Sequence, residues 1–348
     1  MWAAPAELFV IKLYQDAHMQ LVNNTKNQHF ISQVEQRLNA INPSASGANQ
    51  KIYSFTLTDR ENYSVVLDDQ KGKSIENNLL LYDLFSFDVI NRKSTRMNFE
   101  LLFNQYEADI KLNTERLLEK LMLGSSDIKA EVLNIFVAKI LNFLRNPYSV
   151  RKILNSVGEI RRYKPTDPEL IKAYDAIISG KKPQQVYLCS ELGICDSEYQ
   201  DWLLALFLLL VRFEDGQLNI LESIVKSLYE NPSHFIMVFV YQYVDEHADK
   251  RCLISDRGYS MPLPQGPHLS FDFNLCANAF IRYVFTDVNE AAPKDTDQRT
   301  LAAFKQSPRT LKITFLKNDL QALSIYNRHV VYQCHSKVYS SSKVIYGL

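Results

Sequence analysis

Lys51-Ile52-Tyr53-Ser54-Phe55-Thr56-Leu57 alternates apolar and polar side chains without a break, the period of a strand with one buried face. Asp59-Arg60-Glu61-Asn62 follows, then a second run from Tyr63 to Leu67, so the segment reads as a β-hairpin with a four- or five-residue loop. It decides the fold class because its surroundings read otherwise. Upstream, Ala6 to Val22 and Phe30 to Ile41 carry apolar residues at helical spacing, the second run ending at Asn42-Pro43. Downstream, Ser74 to Asp88, with Leu79, Leu80, Leu81, Leu84, Phe85 and Phe87, fits a small sheet or a short helix.

From Asn98 the pattern turns helical. Phe99 to Met122 reads as one long helix stopped by Gly124, and Asp127 to Leu144 as the next, closed by Asn146-Pro147. Further helices are predicted over Ser149 to Arg161, Pro168 to Ser179, Ser197 to Arg212 and Leu218 to Tyr229. Strands return at Phe235 to Tyr241, Arg251 to Ile254 and Leu311 to Leu316, before a last helix from Asp319 to about Lys337. The expectation is an α+β fold: a helix-rich middle with a small mixed or antiparallel sheet built from the N-terminal hairpin and the C-terminal strands. No repeat or linker divides the chain, so residues 1–348 read as one interlocked domain, with subregions 1–95, 96–230 and 231–348.

Composition narrows the class. Lys+Arg and Asp+Glu both number 39 in 348 residues, which excludes a globally basic nucleic-acid coat and a strongly acidic tail. Five scattered Cys make neither a disulfide framework nor zinc-ligand spacing. The start, Met1-Trp2-Ala3-Ala4-Pro5, lacks a basic region, and Glu7 and Lys12 interrupt the apolar positions behind it, unlike a secretory signal. The longest apolar run, Trp202 to Val211, is half the ~20 residues of a membrane span. Apolar on every side, it reads as a helix in the middle of the core. The expected location is the cytoplasm, with no membrane partner.

Four constellations can carry chemistry, each beside a plainer role. His29 stands between Gln28 and Gln33 at a helix entry; an imidazole of pKa about 6.5 serves as acid or base, or simply caps the helix. Ser255-Asp256 ends a strand, where a carboxylate can orient a His or cap its own turn. Arg145 opens a stretch to Lys182 with nine Lys/Arg against four acids, with Tyr148 and Tyr163 interleaved. Such a face binds phosphates or is merely solvated; Arg151, Lys152, Arg161, Arg162 and Lys164 are its nucleic-acid candidates. Arg328-His329 with His335 has the spacing of an Arg-x(4–6)-His ribonuclease signature, or is an ordinary helix face.

The order of these elements resembles the bacterial and fungal family catalogued as domain of unknown function 4238. The likeness runs over residues 26–342 in short islands. His29-Phe30-Ile31-Ser32-Gln33 is similar to the family's His-aromatic-aliphatic-Pro-Gln opening, and Lys51-Ile52-Tyr53-Ser54-Phe55 to its strand. Glu100 and Glu107 resemble its long helix with spaced Glu, Arg145-Asn146-Pro147 its Arg-x-Pro element, and Ile254-Ser255-Asp256-Arg257 its Thr-Ser-Asp-Asn-Pro strand end. Asn327 and Val338-Tyr339-Ser340 are similar to its closing helix and Val-Tyr-Ser ending. Ser32, Ile254 and Arg257-Gly258 depart from the pattern.

The resemblance implies accessory or phage-defence cargo and no particular reaction. With it, the expectation is an anti-phage defence effector, nuclease-like, acting on RNA or DNA. His29 is the acid/base, Gln33, Ser255 and Asp256 its supports, and Arg145 a phosphate clamp. The rival is a non-catalytic sensor or scaffold binding a phage protein or an operon-encoded subunit. A third reading is metal-assisted hydrolysis through His29, Glu100, Glu107 and Asp256; spacing alone indicates no divalent-metal site.

Overall fold

The computed structural model describes residues 21–90, 95–214, 216–262, 266–307 and 311–348. The helix expected over residues 6–22 lies outside them, save Leu21 and Val22; Val22 bridges to Met97. The first third holds β1 (Asn27–His29), α1 (Gln33–Arg37), β2 (Lys51–Asp59), β3 (Ser64–Leu67), β4 (Lys73–Ser74), β5 (Leu80–Tyr82), β6 (Ser86–Ile90) and β7 (Thr95–Asn98). The hairpin is β2 and β3, with Phe55 opposite Leu67 and Thr56 opposite Val66. Its loop is held by the Asp59 carboxylate, which accepts the backbone N–H of Glu61 and Asn62.

The expected helix over residues 30–41 shrinks to α1. Ser32 caps it by accepting the Glu35 N–H. Beyond Arg37 the backbone bonds sideways: the Leu38 carbonyl accepts from Ala277 and the Ile41 N–H donates to Lys51. Residues 80–82 and 86–90, left open between sheet and helix, are strands. β5 pairs with β1, and β6 with β7.

The helical middle comprises α2 (Glu100–Glu107), α3 (Ile110–Met122), α4 (Lys129–Leu144), α5 (Val150–Val157), α6 (Pro168–Ser179), α7 (Gln185–Leu192), α8 (Asp196–Leu210) and α9 (Ile220–Glu230). The single helix expected over 99–122 is two, turning at Ala108–Asp109 with no Gly or Pro to announce it. The turn lets Leu102, Phe103 and Tyr106 of α2 and Ile110 and Leu117 of α3 all be buried. The all-apolar run lies in α8, buried from Trp202 to Leu210 as expected. Its Trp202 indole donates to the Leu144 carbonyl at 2.8 Å, satisfying the one polar atom of that side chain. For α6, Asp167 accepts from the N–H of Glu169 and Leu170, and Pro168 sits where no N–H is needed. Asp167→Ala should cost about 1 kcal/mol in urea unfolding; an unchanged midpoint would remove the cap from this account.

The last third holds β8 (His234–Gln242), β9 (Ile254–Ser255), β10 (His268–Cys276), β11 (Ala279–Asp287), α10 (Val288–Ala291), α11 (Gln298–Gln306), β12 (Lys312–Lys317), α12 (Leu320–Gln333) and β13 (Lys337–Ser340). The hairpin of β10 and β11 and the helix α7 were not expected. The final helix stops at Gln333 and not near Lys337, and a strand follows it.

Two sheets organise the whole. One runs β3-β2-β13-β9 with β4 also on β2, so the N-terminal hairpin does join C-terminal strands, but through the unexpected β13 and through β9, while the expected strands at 235–241 and 311–316 go to the other sheet. The other runs β10-β11-β8-β12, antiparallel except for the parallel β8–β12 pair. Its Val238, Val240, Ile281 and Tyr283 face the core built on the helical middle. On its opposite face Tyr241 and Phe280 join a second core with α12 and the first sheet, where Tyr326 stacks on Phe280 at 4.2 Å. One sheet thus serves both cores. Among the described residues no helix is long and apolar enough to cross a membrane.

Candidate functional site

His29 ends β1, where pairing with Leu80 of β5 fixes its backbone. Its half-buried ring lies 3.4 and 3.5 Å, by its two nitrogens, from the Gln33 amide nitrogen. The Gln33 oxygen accepts from Arg37 at 2.6 Å. Burial lowers the His29 pKa from 6.5 to about 4; hydrogen bonds to the backbone of Ile75 and Glu76 oppose that, and the charges of Arg145 and Arg37 add to it. At neutral pH the ring is therefore an uncharged proton acceptor.

Glu100 opens α2 and is tuned the other way. Burial raises its carboxyl from 4.5 to about 7, Arg145 pulls it down and Glu107 pushes it up. One of its oxygens is buried without a hydrogen-bond partner. Seven residues on, Glu107 forms an ion pair with Arg145.

Arg145, at the C-terminal end of α4, acts by its charge on both His29 and Glu100, with its side chain 1% exposed. It donates to Asn142 at 2.7 Å and lies 5.0 Å over the Phe103 ring; its Nε has no hydrogen-bond partner. Asn142 donates in turn to Glu35, whose other oxygen holds Lys139. A buried polar chain thus runs Lys139–Glu35–Asn142–Arg145–Glu107. Glu35, Lys139 and Asn142 were missed in the sequence. The signal was there: Lys139 and Asn142, with Glu131, interrupt the apolar residues buried on α4.

The Asp256 carboxylate accepts the backbone N–H groups of His335, Ser336 and Lys337 at 2.7, 2.7 and 2.8 Å, and the Ser336 hydroxyl at 3.2 Å. The Asp256 carbonyl accepts from the Asn146 side chain at 2.8 Å, and the Ser255 hydroxyl from the Arg257 N–H. Asp256 thus reaches the Arg145-Asn146-Pro147 element from the side of Asn146, while Ser255 stays within its own turn and His29 and Glu100 feel the charge of Arg145. Among the described residues no hydrogen bond joins Asp256 to His29. Gly258, at φ +74°, fits here because a side chain would collide with Ile31.

The basic stretch is largely balanced in space. Arg151 pairs with Glu198 at 2.8 Å, Arg161 with Asp201 at 3.5 Å and Arg162 with Glu159 at 2.7 Å. Lys152 lies 5.4 Å over Tyr259 and near the Met261 sulfur, whereas Lys164 is exposed. Two of the balancing acids come from α8. Arg328 donates to the Gly347 carbonyl, and His335 lies beyond the end of α12, so the two do not share a helix. Among the described residues the cysteines are free, and no three His, Cys, Asp or Glu are grouped to hold a metal ion.

Comparison with protein-family models, curated proteins and solved structures yields no match.

Proposed function

We propose that this protein is an acid/base enzyme that cleaves phosphodiester bonds of RNA or DNA. The observation that carries the reading is the opposite tuning of two half-buried groups beside one buried cation: His29 down to about 4 and Glu100 up to about 7. Pairs pushed apart in this way supply one proton acceptor and one proton donor at the same pH. On RNA, neutral His29 takes the proton of the 2′-hydroxyl, whose oxygen attacks phosphorus. The bond to the 5′ oxygen breaks, and Glu100 protonates that leaving oxygen. On DNA, water replaces the 2′-hydroxyl. Arg145 is locked inside the fold and paired with Glu107, so it is not the phosphate clamp expected of it; its part is to act by its charge on His29 and Glu100. Arg37, half-buried and bonded to Gln33, is the cation that a phosphate meets. Asp256 holds the C-terminal turn to Asn146, beside Arg145.

His29→Gln and Glu100→Gln should each lower cleavage of labelled RNA or DNA by ~100-fold or more. In the parent, kcat/KM should be level between pH 4 and 7, where His29 is unprotonated and Glu100 protonated. It should fall above pH 7 as Glu100 loses its proton, and Glu100→Gln should remove that limb. A fully active His29→Gln variant would sink the acid/base reading.

The resemblance in the sequence supports a cytoplasmic anti-phage effector, for which His29→Gln should abolish protection against phage. The rival, a scaffold for a phage-derived or operon-encoded protein, draws on the internal bonding of Arg145 and Asp256. Protection retained by His29→Gln would favour it.

A further inference from the structure

We propose that the stacked rings of Tyr148 and His335 form a platform for an unpaired nucleobase; the choice of ligand rests on the phosphodiester reading above. The rings lie 4.1 Å apart and within 5° of parallel. Tyr148 is half-buried, held from behind by the edge of Phe30 at 5.4 Å, and its backbone is fixed by Asn146. His335 is exposed, so its ring is the outer member of the pair. Its main chain is anchored independently, the N–H by Asp256 at 2.7 Å and the carbonyl by Arg60 at 3.2 Å. The turn therefore needs no ring at position 335. What the ring adds is a rigid planar surface facing water.

Charge favours a nucleotide over another flat ligand. Against Asp256, whose carboxylate the N–H groups of residues 335–337 already hold, and Glu191, two cations act on His335: Arg257 and Arg60 both oppose its protonation. They supply positive charge for the phosphates on either side of a stacked base, while the uncharged ring serves any base. The platform adjoins the candidate site along the chain: Tyr148 comes three residues after Arg145, and its ring touches Phe30, the neighbour of His29.

The test is fluorescence anisotropy at low salt with labelled single-stranded RNA and DNA octamers, fully abasic strands of the same length, and a duplex. The parent should bind the single strands, and lose about 10-fold in affinity when each register offers fewer bases to stack, as in a fully abasic strand. His335→Ala should lose about 10-fold on intact strands and nothing on the fully abasic one; His335→Phe should restore binding. The Ala variant keeps the backbone anchors, so its fold is retained. Equal affinity of the parent for intact and fully abasic strands, tighter binding of the duplex, or an unaffected His335→Ala variant overturns the platform. Base-dependent binding without cleavage would uphold the platform and sink the enzyme reading; cleavage with base-independent binding would do the reverse. RNA against DNA affinity tells which strand is the ligand.

Discussion

Lys139→Met should destabilise the folded protein by about 3–5 kcal/mol. Lys139 and Glu35 each have 2% of their side chain exposed and are bonded to one another. Lys139 lies on the buried side of α4, on the same helix as Val132, Phe136 and Leu141. A charge in such a place is tolerated only with its partner, because water is not there to replace the lost contact. Methionine fills the volume but leaves the Glu35 carboxylate facing apolar atoms, with Asn142 as its side-chain donor. The double variant Glu35→Gln/Lys139→Met removes both charges, and its amide oxygen can still accept from Asn142. It should recover most of the loss, since a pair in contact is not additive. Urea unfolding of the parent, both singles and the double measures this. A double variant as unstable as the two singles combined would show that the pair is not the source of the effect. The same chain positions Arg145 through Asn142, so the stability of the interior and the electrostatics of the candidate site share residues.

Glu100→Gln should make the protein about 3 kcal/mol more stable than the parent at pH 8 and leave it unchanged near pH 4. The folded pKa of Glu100 stands at about 7 against an ordinary 4.5. Its contribution is therefore fully present below pH 4.5 and is lost as the pH rises through 7. His29 runs the other way. With a folded value of about 4 against 6.5, its contribution is present above pH 6.5 and is lost as the pH falls through 4. Each is worth about 3 kcal/mol at ~1.4 kcal/mol per pH unit, and between about pH 4.5 and 6.5 the two cancel. The variants separate them. Relative to the parent, Glu100→Gln should gain stability from pH 4.5 to 7, the window of the group it removes. His29→Gln should lose stability relative to the parent from pH 4 to 6.5, the His29 window. Urea midpoints across this range decide it, and parallel curves for parent and variants would refute the opposite tuning.

What the sequence alone determined is the class and much of the element map. The alternation at 51–57, the apolar wrap of α8 and the Asp167-Pro168 start of α6 are local signals, set by side-chain period and by which backbone groups a neighbour can satisfy. The alternation through Phe271, Phe273 and Leu275 was equally legible and marks the hairpin that was missed. The residue types of the candidate site were also visible: His29, Glu100, Glu107 and Arg145 all stand out by chemistry and order. Tertiary structure alone decided their states and partners. The last helix ends at Gln333 because Asp256, 79 residues earlier, takes the amide hydrogens beyond it. The basic stretch loses much of its excess because Glu198 and Asp201 arrive from α8. His29 becomes a weak base and Glu100 a weak acid only through burial beside Arg145. A backbone preference acts between near neighbours in the chain, whereas desolvation and Coulomb energy depend on distances that exist only after folding.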